Sequence, residues 1–518
     1  MLLRIVFLIL FLSPLGALAQ QTPQQTPQQT QRPNILFMMA DDHAAHAVGA
    51  YGGRLAVMNP TPHLDRLAAE GIRLENVFVT NSICTPSRAT LMTGQYSHVN
   101  GVTTLNGAIE PARQHLASLI GEAGYETAMI GKWHLKEEPA AFDYYAVLPG
   151  QGSYFNPILR VDGKGDWPEN VVRYAGYDSK HSSDVVTDLS LEWLKQRDSD
   201  KPFFLMHHFK APHDNFENAE RYDWLYEDDE IPEPTSLRFQ PEHGSEATAT
   251  AGTSVSKRNE RRNMGHHMFV DQSLDSAAYT SVSYQRYMKK YLRTIRGIDD
   301  NIGRLIDHLK ETGEFDNTII VYTSDQGFML GEHDYIDKRW MYEESLRVPF
   351  IVRYPGYVPQ GSTSDAIINN VDFAPTLLSM AGVSKPGFMQ GDTFLPMLKG
   401  QDAPADWKTA TYYRYWMHMT HHDNPAHYGI RTKDYKLIFY YGLPLDAPGA
   451  LETPTQPGWE LYDMRTDPHE LRNVYNNPRY ADVVLRLKEE LLELKATIGD
   501  TDDKYPELME TRDRYWKM

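Results

Sequence analysis

Short, continuously apolar runs alternate with segments of helical periodicity along most of the chain. Apolar runs of this length are typical of strands buried on both faces of a sheet, and they occupy residues 34–40, 127–130, 203–206 and 318–323. Apolar residues spaced three and four apart predict intervening helices at residues 62–70, 114–122, 184–195 and 284–309. Strands that alternate with helices predict an α/β fold with a large central, mostly parallel sheet flanked by helices.

Polar, chemically capable side chains follow each of the four predicted strands. Sites in α/β sheets gather at the carboxyl ends of the strands, so we expect these side chains to meet at one edge of the sheet. They are Asp41 and Asp42 after the first strand, Lys132 after the second, His207 and His208 after the third, and Asp325 after the fourth. His207 and His208 directly continue an apolar strand, and we interpret them as structural.

The N-terminus has the pattern of a cleaved secretory signal, predicted over residues 1–19. Arg4 precedes the apolar run 5–12, and Ala17-Leu18-Ala19 provides a small-residue cleavage site. The run is shorter than the roughly 20 residues that span a bilayer, so we expect export to the periplasm or secretion, without stable membrane insertion. Residues 20–32 repeat Thr-Pro-Gln-Gln, which predicts a polar linker.

Two breaks in the pattern divide the remaining chain. An α/β catalytic domain is predicted over 33–402, with an insertion or long loop at 217–276, where no period is visible. After residue 403 the sequence changes to short, aromatic-rich strands and one helix, which predicts a smaller α+β subdomain over 403–518 with an antiparallel sheet. The predicted strands are 410–417, 428–430, 435–441 and 460–463, and the helix is 482–495.

The composition indicates a globular protein with an acidic balance. Hydrophobic residues make up 41% of the chain, enough to build a core. The 51 Lys and Arg residues against 69 Asp and Glu residues give a formal net charge of −18, which argues against nucleic acid and anionic membranes as the main partners. If the substrate is an anion, a cluster of cations, a metal ion, or both must reverse the sign of the field locally.

The single cysteine, Cys84, is unusual for an exported protein, because thiols in oxidising compartments usually pair. A lone cysteine is either a small core residue or a reactive group. Thr85 and Pro86 form a good helix start, so we expect Cys84 just before a helix. The N-terminus of a helix favours an anion such as sulfate, and Arg88 adds a fixed positive charge.

The run Cys84-Thr85-Pro86-Ser87-Arg88, with Thr93-Gly94 beyond it, resembles the signature of the type I sulfatases, relatives of alkaline phosphatase. The resemblance covers most of the chain from Pro33 onward and implies an alkaline phosphatase-like fold. It also implies that a formylglycine-generating maturation enzyme oxidises Cys84 to formylglycine, whose hydrated aldehyde carries two hydroxyls. One hydroxyl attacks sulfur, and the other then expels sulfate by breaking a C–O bond.

A calcium site is the second feature that the resemblance implies. Taken alone, each of two residue pairs would be interpreted as a turn or a helix cap. The pairs are Asp41-Asp42 and Asp325-Gln326. Together they are similar to the family's calcium ligands, which include the gem-diol of residue 84, and calcium prefers such oxygen ligands. Gln326 departs from the usual Asn or His of the family, although it still offers a carbonyl oxygen.

Three further segments are similar to catalytic segments of the family. Gly131-Lys132-Trp133-His134 matches a segment in which the lysine binds sulfate and the histidine orients a hydroxyl of residue 84. His213 matches the histidine that protonates the leaving oxygen, a role that suits imidazole. Lys338 is the expected second sulfate-binding lysine, and with Arg88 and Lys132 it supplies the required local positive charge.

Aromatic and histidine residues are crowded between 412 and 431. Such side chains suit a sugar ring, although many of the aromatics fit the core of a sheet. We predict substrate contacts from His418, His422 and His427. A zinc site made from His418, His421 and His422 is an alternative, but their spacing is not diagnostic.

The leading functional hypothesis is a sulfuric ester hydrolase that acts on a sulfated glycan or saccharide. The insertion and the aromatic C-terminal segment resemble bacterial carbohydrate sulfatases, including the N-acetylglucosamine-6-sulfatase group, which implies 6-O-sulfated N-acetylglucosamine as substrate. One alternative is a phosphonate or phosphate ester hydrolase of the same superfamily. Another is a non-catalytic glycan-binding protein.

Overall fold

The computed structural model describes residues 32–238 and 242–516. The predicted signal peptide and the predicted linker, apart from Arg32, lie outside the described residues. No helix within the two described ranges is both long enough and apolar enough to cross a membrane.

Two sheets and a small hairpin organise the described chain. The strands of the large sheet are β1 Asn34–Asp41, β2 Ile72–Phe78, β3 Glu126–Lys132, β4 Tyr144–Leu148, β5 Leu159–Val161, β6 Val171–Val172, β7 Phe203–Pro212, β8 Thr318–Ser324, β11 Phe350–Arg353 and β12 Ser362–Asn369. The hairpin strands are β9 Met329–Leu330 and β10 Ile336–Asp337. The second sheet contains β13 Ala410–Tyr415, β14 His427–Thr432, β15 Tyr435–Tyr440 and β16 Gly458–Asp463.

The large sheet has ten strands in the order β12-β2-β11-β8-β1-β7-β3-β4-β5-β6. The run from β8 through β1, β7 and β3 to β4 is parallel throughout. By contrast, β11 runs antiparallel to both of its neighbours, and β5 and β6 add an antiparallel edge. The predicted mostly parallel central sheet is thus confirmed.

Helices cover the faces of this sheet and the neighbouring surfaces. They are α1 Pro62–Ala69, α2 Cys84–Thr93, α3 Ser97–Asn100, α4 His115–Glu122, α5 Ser182–Gln196, α6 Met264–His267, α7 Ser276–Glu311, α8 Glu343–Leu346, α9 Phe373–Met380, α10 Leu395–Leu398, α11 Ala481–Ile498 and α12 Pro506–Tyr515. Each helix predicted from periodicity is present, with bounds that differ most at the start of α7.

The start of α7 was missed because its first turns carry small polar residues without an apolar period. The helix begins at Ser276 instead of Tyr284. The Asp275 side chain caps it by accepting the Ala278 N–H at 2.9 Å, as N-cap aspartates do. Tyr279 in this first part is buried in a core shared with the insertion.

The strand β1 lies at the centre of the large sheet and is buried along its whole length. Ile35 lies opposite Phe204 of β7 and Ile319 of β8. Successive side chains of a strand point to opposite faces. Accordingly, the odd-numbered residues 35–39 join one hydrophobic core, and the even-numbered residues 36–40 join the other.

The second sheet is four-stranded and antiparallel, in the order β13-β14-β15-β16. One face packs against α11, through Val484, Leu487 and Leu491. The predicted antiparallel sheet near the C-terminus is therefore confirmed, while the domain boundary at residue 402 stays a prediction.

The described part of the predicted insertion at 217–276 packs against the body of the protein. Ser254 forms a bridge with Tyr335, and the Val255 N–H donates to the Asp334 carbonyl at 2.9 Å. The sequence of this segment shows no hydrophobic periodicity because loops and short turns, instead of long strands, make these contacts.

Candidate active site

The parallel pairing of β1 with β8 brings four predicted site residues together. Ala40 lies opposite Ser324, so the residues that follow the two strands are neighbours at the carboxyl edge of the sheet. Asp325 accepts the Asp42 N–H at 3.2 Å through Oδ1. Asp42 has a φ of 73°, which turns the chain sharply as it leaves the strand.

Cys84 is the first residue of α2, and Ile83 occupies the N-cap position. The prediction that Cys84 precedes the helix and that Thr85 caps it is therefore wrong by one to two residues, because the chain becomes helical directly after the extended Ile83. Every residue of α2 is buried. Cys84 thus lies where the free N–H groups of a helix favour an anion.

Three buried cations pair with the three aspartates. Arg88 Nη2 lies 2.9 Å from Asp325, and Lys338 Nζ lies 2.6 Å from Asp42. Lys132 forms an ion pair with Asp41. All six side chains are at most 3% exposed, so these charges interact with little solvent screening.

The crowding of the carboxylates separates their pKa values. Burial favours a higher pKa for Asp41, but adjacent cations, led by Lys132, outweigh it and hold that pKa well below its usual range. Burial raises the pKa of Asp42 to about 6, although Lys338 opposes the rise. Burial and repulsion from Asp41 raise the pKa of Asp325 to about 8. The aspartates therefore need additional positive charge to be ionised together at neutral pH.

The donor atoms here fit a hard divalent cation. Asp41 Oδ1 and Gln326 Oε1 are buried without a hydrogen-bond partner among the described residues, and the Gln326 amide nitrogen donates to Asp42. One possible ligand atom each from Asp41, Asp42 and His213 lie within 4.8 Å of one another. Carboxylate and amide oxygens are the ligands that calcium prefers.

Two predicted catalytic histidines line the site. His134 Nδ1 lies 3.4 Å from Thr85 Oγ1, directly beside residue 84. His213 Nδ1 lies 2.9 Å from the Asp214 carbonyl, and its Nε2 lies 3.8 Å from Asp42 Oδ2. Burial and the charges of nearby lysines lower the pKa of both histidines, so both imidazoles are neutral in the unliganded site.

The structure does not bring His418 and His427 to the site as predicted. Both ring nitrogens of His418 contact backbone, one at the Thr453 carbonyl and one at the Ala426 N–H. His427 is fully buried and lies 4.7 to 5.6 Å, centroid to centroid, from three tyrosine rings. These two side chains therefore stabilise the second sheet and its loops. The close spacing of histidines and aromatic residues in the sequence could not show which side chains lie in the core and which line the pocket.

His422 differs from the other two histidines because it lies beside the segment that carries Asp337 and Lys338. Its Nδ1 lies 3.5 Å from Asp337 Oδ2 and 3.2 Å from the Thr253 hydroxyl, and its side chain is 28% exposed. The alternative zinc site is not supported, since no described metal-like cluster of His, Cys, Asp and Glu includes these histidines.

Sequence reasoning missed several polar residues that contact the site. Gln151 accepts a hydrogen bond from Lys132 at 2.5 Å, and Asp337 Oδ1 lies 3.9 Å from the Lys338 ammonium. Lys210 is buried in β7 and interacts electrostatically with Lys132. Its position shortly before His213 was the available signal, whereas Gln151 lies in a loop with no distinctive pattern.

A sulfatase family profile matches residues 33–383 of this chain. The chain belongs to the sulfatase family. A second profile, described as N-sulphoglucosamine sulphohydrolase, C-terminal, matches residues 331–497. The family resemblance that rested on the run 84–88 is thus confirmed.

Individual sulfatases are similar over nearly the whole chain. The N-acetylglucosamine-6-O-sulfatase of Bacteroides thetaiotaomicron is 40% identical over 514 residues, covering 91% of this chain and 88% of that protein. A solved structure of a protein in complex with its substrate D-glucosamine-2-N,6-O-disulfate matches with a TM-score of 0.81 and 38% identity, covering 92% of this chain and 100% of that chain. The protein is therefore an enzyme of the sulfatase class.

A phosphonate monoester hydrolase from Silicibacter pomeroyi shares the fold. It matches with a TM-score of 0.67 and 21% identity, covering 90% of this chain and 95% of that chain. This likeness concerns the architecture alone, and it agrees with the predicted alkaline phosphatase-like fold.

Proposed function

We propose that this sulfatase removes the 6-O-sulfate group from a glucosamine residue of a sulfated saccharide. The observation that carries the proposal is the 40% identity, over 91% of the chain, to a relative named N-acetylglucosamine-6-O-sulfatase. The similar solved structure has a substrate with the same 6-O-sulfate group. The alternatives of a phosphonate or phosphate ester hydrolase and of a glycan-binding protein have no comparable support.

In this proposal, residue 84 supplies the nucleophile after oxidation of Cys84 to formylglycine. The hydrated aldehyde offers one hydroxyl to attack sulfur and a second hydroxyl whose deprotonation expels sulfate. Burial raises the pKa of the Cys84 thiol, so an unmodified cysteine would be a poor nucleophile here.

Oxidation of Cys84 requires a maturation enzyme that can reach it. Residues 84–88 are all buried in the folded chain. We therefore propose that a formylglycine-generating enzyme acts before the chain folds, when this run is still accessible.

Asp41, Asp42, Asp325 and Gln326 would bind Ca²⁺ beside residue 84. Bound calcium would offset the repulsion between the carboxylates and place positive charge next to the sulfate oxygens. Asp41 Oδ1 and Gln326 Oε1, which are buried and accept no hydrogen bond within the described ranges, support this assignment.

Arg88, Lys132 and Lys338 provide the positive charge that an anionic substrate needs in a protein of net charge −18. They are buried at the site before the substrate arrives. Fixed charges of this kind stabilise charge that develops during the reaction, since they need no reorganisation.

His213 and His134 carry the proton-transfer and positioning roles. Because the Asp214 carbonyl engages His213 Nδ1, Nε2 is the atom available to protonate the leaving oxygen. The negative charge of a bound sulfate ester would raise the pKa of His213 and favour the protonated form. His134 would orient a hydroxyl of residue 84, and His422 would contact the sugar.

We also propose that the protein is exported to the periplasm or secreted. The signal pattern at residues 1–19 supports this location. The acidic net charge agrees with a saccharide as the partner, and it does not favour nucleic acid.

Sulfate release from defined monosaccharides tests the proposed function. Enzyme whose formylglycine content has been verified by peptide mass should hydrolyse N-acetylglucosamine 6-sulfate and N-sulfoglucosamine 6-sulfate. The matched controls are N-acetylglucosamine 3-sulfate, galactose 6-sulfate and N-acetylglucosamine 6-phosphate. Equal or faster turnover of any control would contradict the proposed substrate, and faster turnover of the phosphate would contradict the reaction class.

A further inference from the structure

Lys210 lies at the site but has none of the roles assigned above. It belongs to the buried strand β7 and is 5% exposed. The register between β1 and β7 shifts here, since Met39 lies opposite His208 whereas Asp41 lies opposite Pro212. Irregularities of this kind change the direction of side chains next to active sites. Lys210 lies between His208 and Pro212, where the register shifts.

The Lys210 ammonium has neither an anionic partner nor a hydrogen-bond acceptor among residues 32–238 and 242–516. Its contact there is with the Tyr154 ring, whose centroid lies 4.7 Å from Nζ. The Tyr154 hydroxyl in turn donates to the backbone carbonyl of His213. Burial of an ammonium without an acceptor is costly, so its N–H donors are available to a ligand.

The charges around Lys210 are those of the sulfate pocket. Burial and repulsion from Lys132 lower the pKa of Lys210 to about 8, while Asp41 and Asp42 oppose that shift and Lys338 adds to it. The group therefore remains mainly charged at neutral pH. The four charged groups that shift this pKa belong to the proposed sulfate and calcium sites.

The ion pairs of the site leave Lys210 as an additional positive charge. Arg88 pairs with Asp325, Lys132 with Asp41, and Lys338 with Asp42. Each of these three cations therefore has a carboxyl partner, whereas Lys210 has none among the described residues. A sulfate monoester carries one negative charge, which complements this extra ammonium.

We propose that Lys210 is a further catalytic residue that donates a charge-assisted hydrogen bond to an oxygen of the reacting sulfate group. The proposal rests on the proposed function of the same site. The Tyr154 ring contacts the Lys210 ammonium, and the Tyr154 hydroxyl links it to the backbone of His213. Tyr154 therefore contacts both Lys210, the proposed sulfate-binding cation, and the backbone of His213, the proposed leaving-group acid.

The test uses Lys210→Met, Lys210→Arg and, as a matched control, Lys310→Met. The Lys310 ammonium also lies over an aromatic ring, 4.9 Å from the Phe315 centroid, but at the amino end of β8. Loss of a charge-assisted hydrogen bond should lower kcat/KM for N-acetylglucosamine 6-sulfate about 10- to 100-fold in Lys210→Met. Lys210→Arg should restore most of this loss, and Lys310→Met should match the wild type.

Binding of inorganic sulfate, measured by calorimetry, supplies a readout that needs no turnover. We expect Lys210→Met to weaken sulfate binding at least about tenfold with an unchanged Tm. Unchanged sulfate binding in Lys210→Met would overturn the proposal. The proposal would also fail if this substitution weakened inhibition by the desulfated sugar but did not weaken the binding of sulfate. A lowered Tm with no rescue by arginine would show a structural role instead. If the wild type binds sulfate but releases none from 6-sulfated sugars, the proposed substrate fails, and the calorimetric comparison still decides the role of Lys210.

Discussion

Calcium binding should release protons from the active site. The surroundings of Asp325 raise its pKa to about 8, and burial raises that of Asp42 to about 6. Calcium ligands must be ionised. Between pH 6 and pH 8, Asp325 is therefore the carboxyl group that still has to lose a proton when calcium binds.

The sign and size of the effect follow from linkage. A carboxyl group whose pKa is raised from 3.8 to about 8 by folding is protonated in the folded state and ionised in the unfolded state between those values. It therefore makes the metal-free protein less stable as pH rises through this window. One proton per calcium ion corresponds to a tenfold change in the apparent Kd per pH unit, or about 1.4 kcal/mol. Calcium should bind more weakly as the pH falls from 8 to 6.

Calorimetry at pH 7 in two buffers of different ionisation enthalpy measures the released protons, and we expect about one per calcium ion. Calcium at 100 times its Kd should stabilise the fold by about 2.7 kcal/mol relative to EGTA. With roughly 2.1 cal/mol/K of unfolding entropy per residue and 518 residues, this corresponds to about 2–3 °C in Tm. The stabilisation at a fixed calcium concentration should increase from pH 6 to pH 8.

Asp325→Asn should abolish the proton release and weaken calcium binding. Glu470→Gln is the matched control, because Glu470 is also buried with a pKa raised to about 7 but pairs with Lys436 and accepts the backbone N–H of Glu343. It should leave the proton count unchanged. Calcium binding with a pH-independent Kd, or no binding at all, would refute the assignment of these ligands.

Three further substitutions test individual residues. Cys84→Ser should lower kcat by on the order of 10³-fold or more while the circular dichroism spectrum is retained, and full activity would refute residue 84 as the nucleophile. His213→Ala should slow sugar sulfate hydrolysis about 10²- to 10⁴-fold and aryl sulfate hydrolysis much less, because a phenolate leaves without protonation; equal losses would argue against the acid role. His418→Ala leaves the Ala426 N–H and the Thr453 carbonyl unpaired, so chemical denaturation should show a loss of about 1–3 kcal/mol with KM unchanged. A raised KM would restore His418 as a substrate contact.

The sheet and the long helices could be predicted because their periodicity is local. The runs before Asp41 and before Asp325 both became buried parallel strands, and their shared direction places both carboxyl ends at the same edge of the sheet. Residues 84–88 were recognisable because a short run of fixed chemistry identifies the family. Neither feature required knowledge of distant contacts.

Burial at particular positions could not be predicted in the same way. His418, His422 and His427 are close in the sequence, yet His422 alone among them lies beside the segment that carries Asp337 and Lys338. Their environments depend on how β14 packs against β13 and β15, which the local pattern does not encode. The importance of Lys210 was hidden for a related reason, since the bulge that places it is a property of strand pairing.

The ion pairs of the site couple metal binding to substrate binding. Lys132 and Lys338 are paired with Asp41 and Asp42, which are also the proposed calcium ligands. A calcium ion that takes these carboxylates would weaken both pairs and free the lysines for sulfate. By reciprocity of binding free energies, sulfate should then tighten calcium binding by the same factor. A protein of net charge −18 thereby presents strong positive charge to an anion only after its carboxylates have been neutralised.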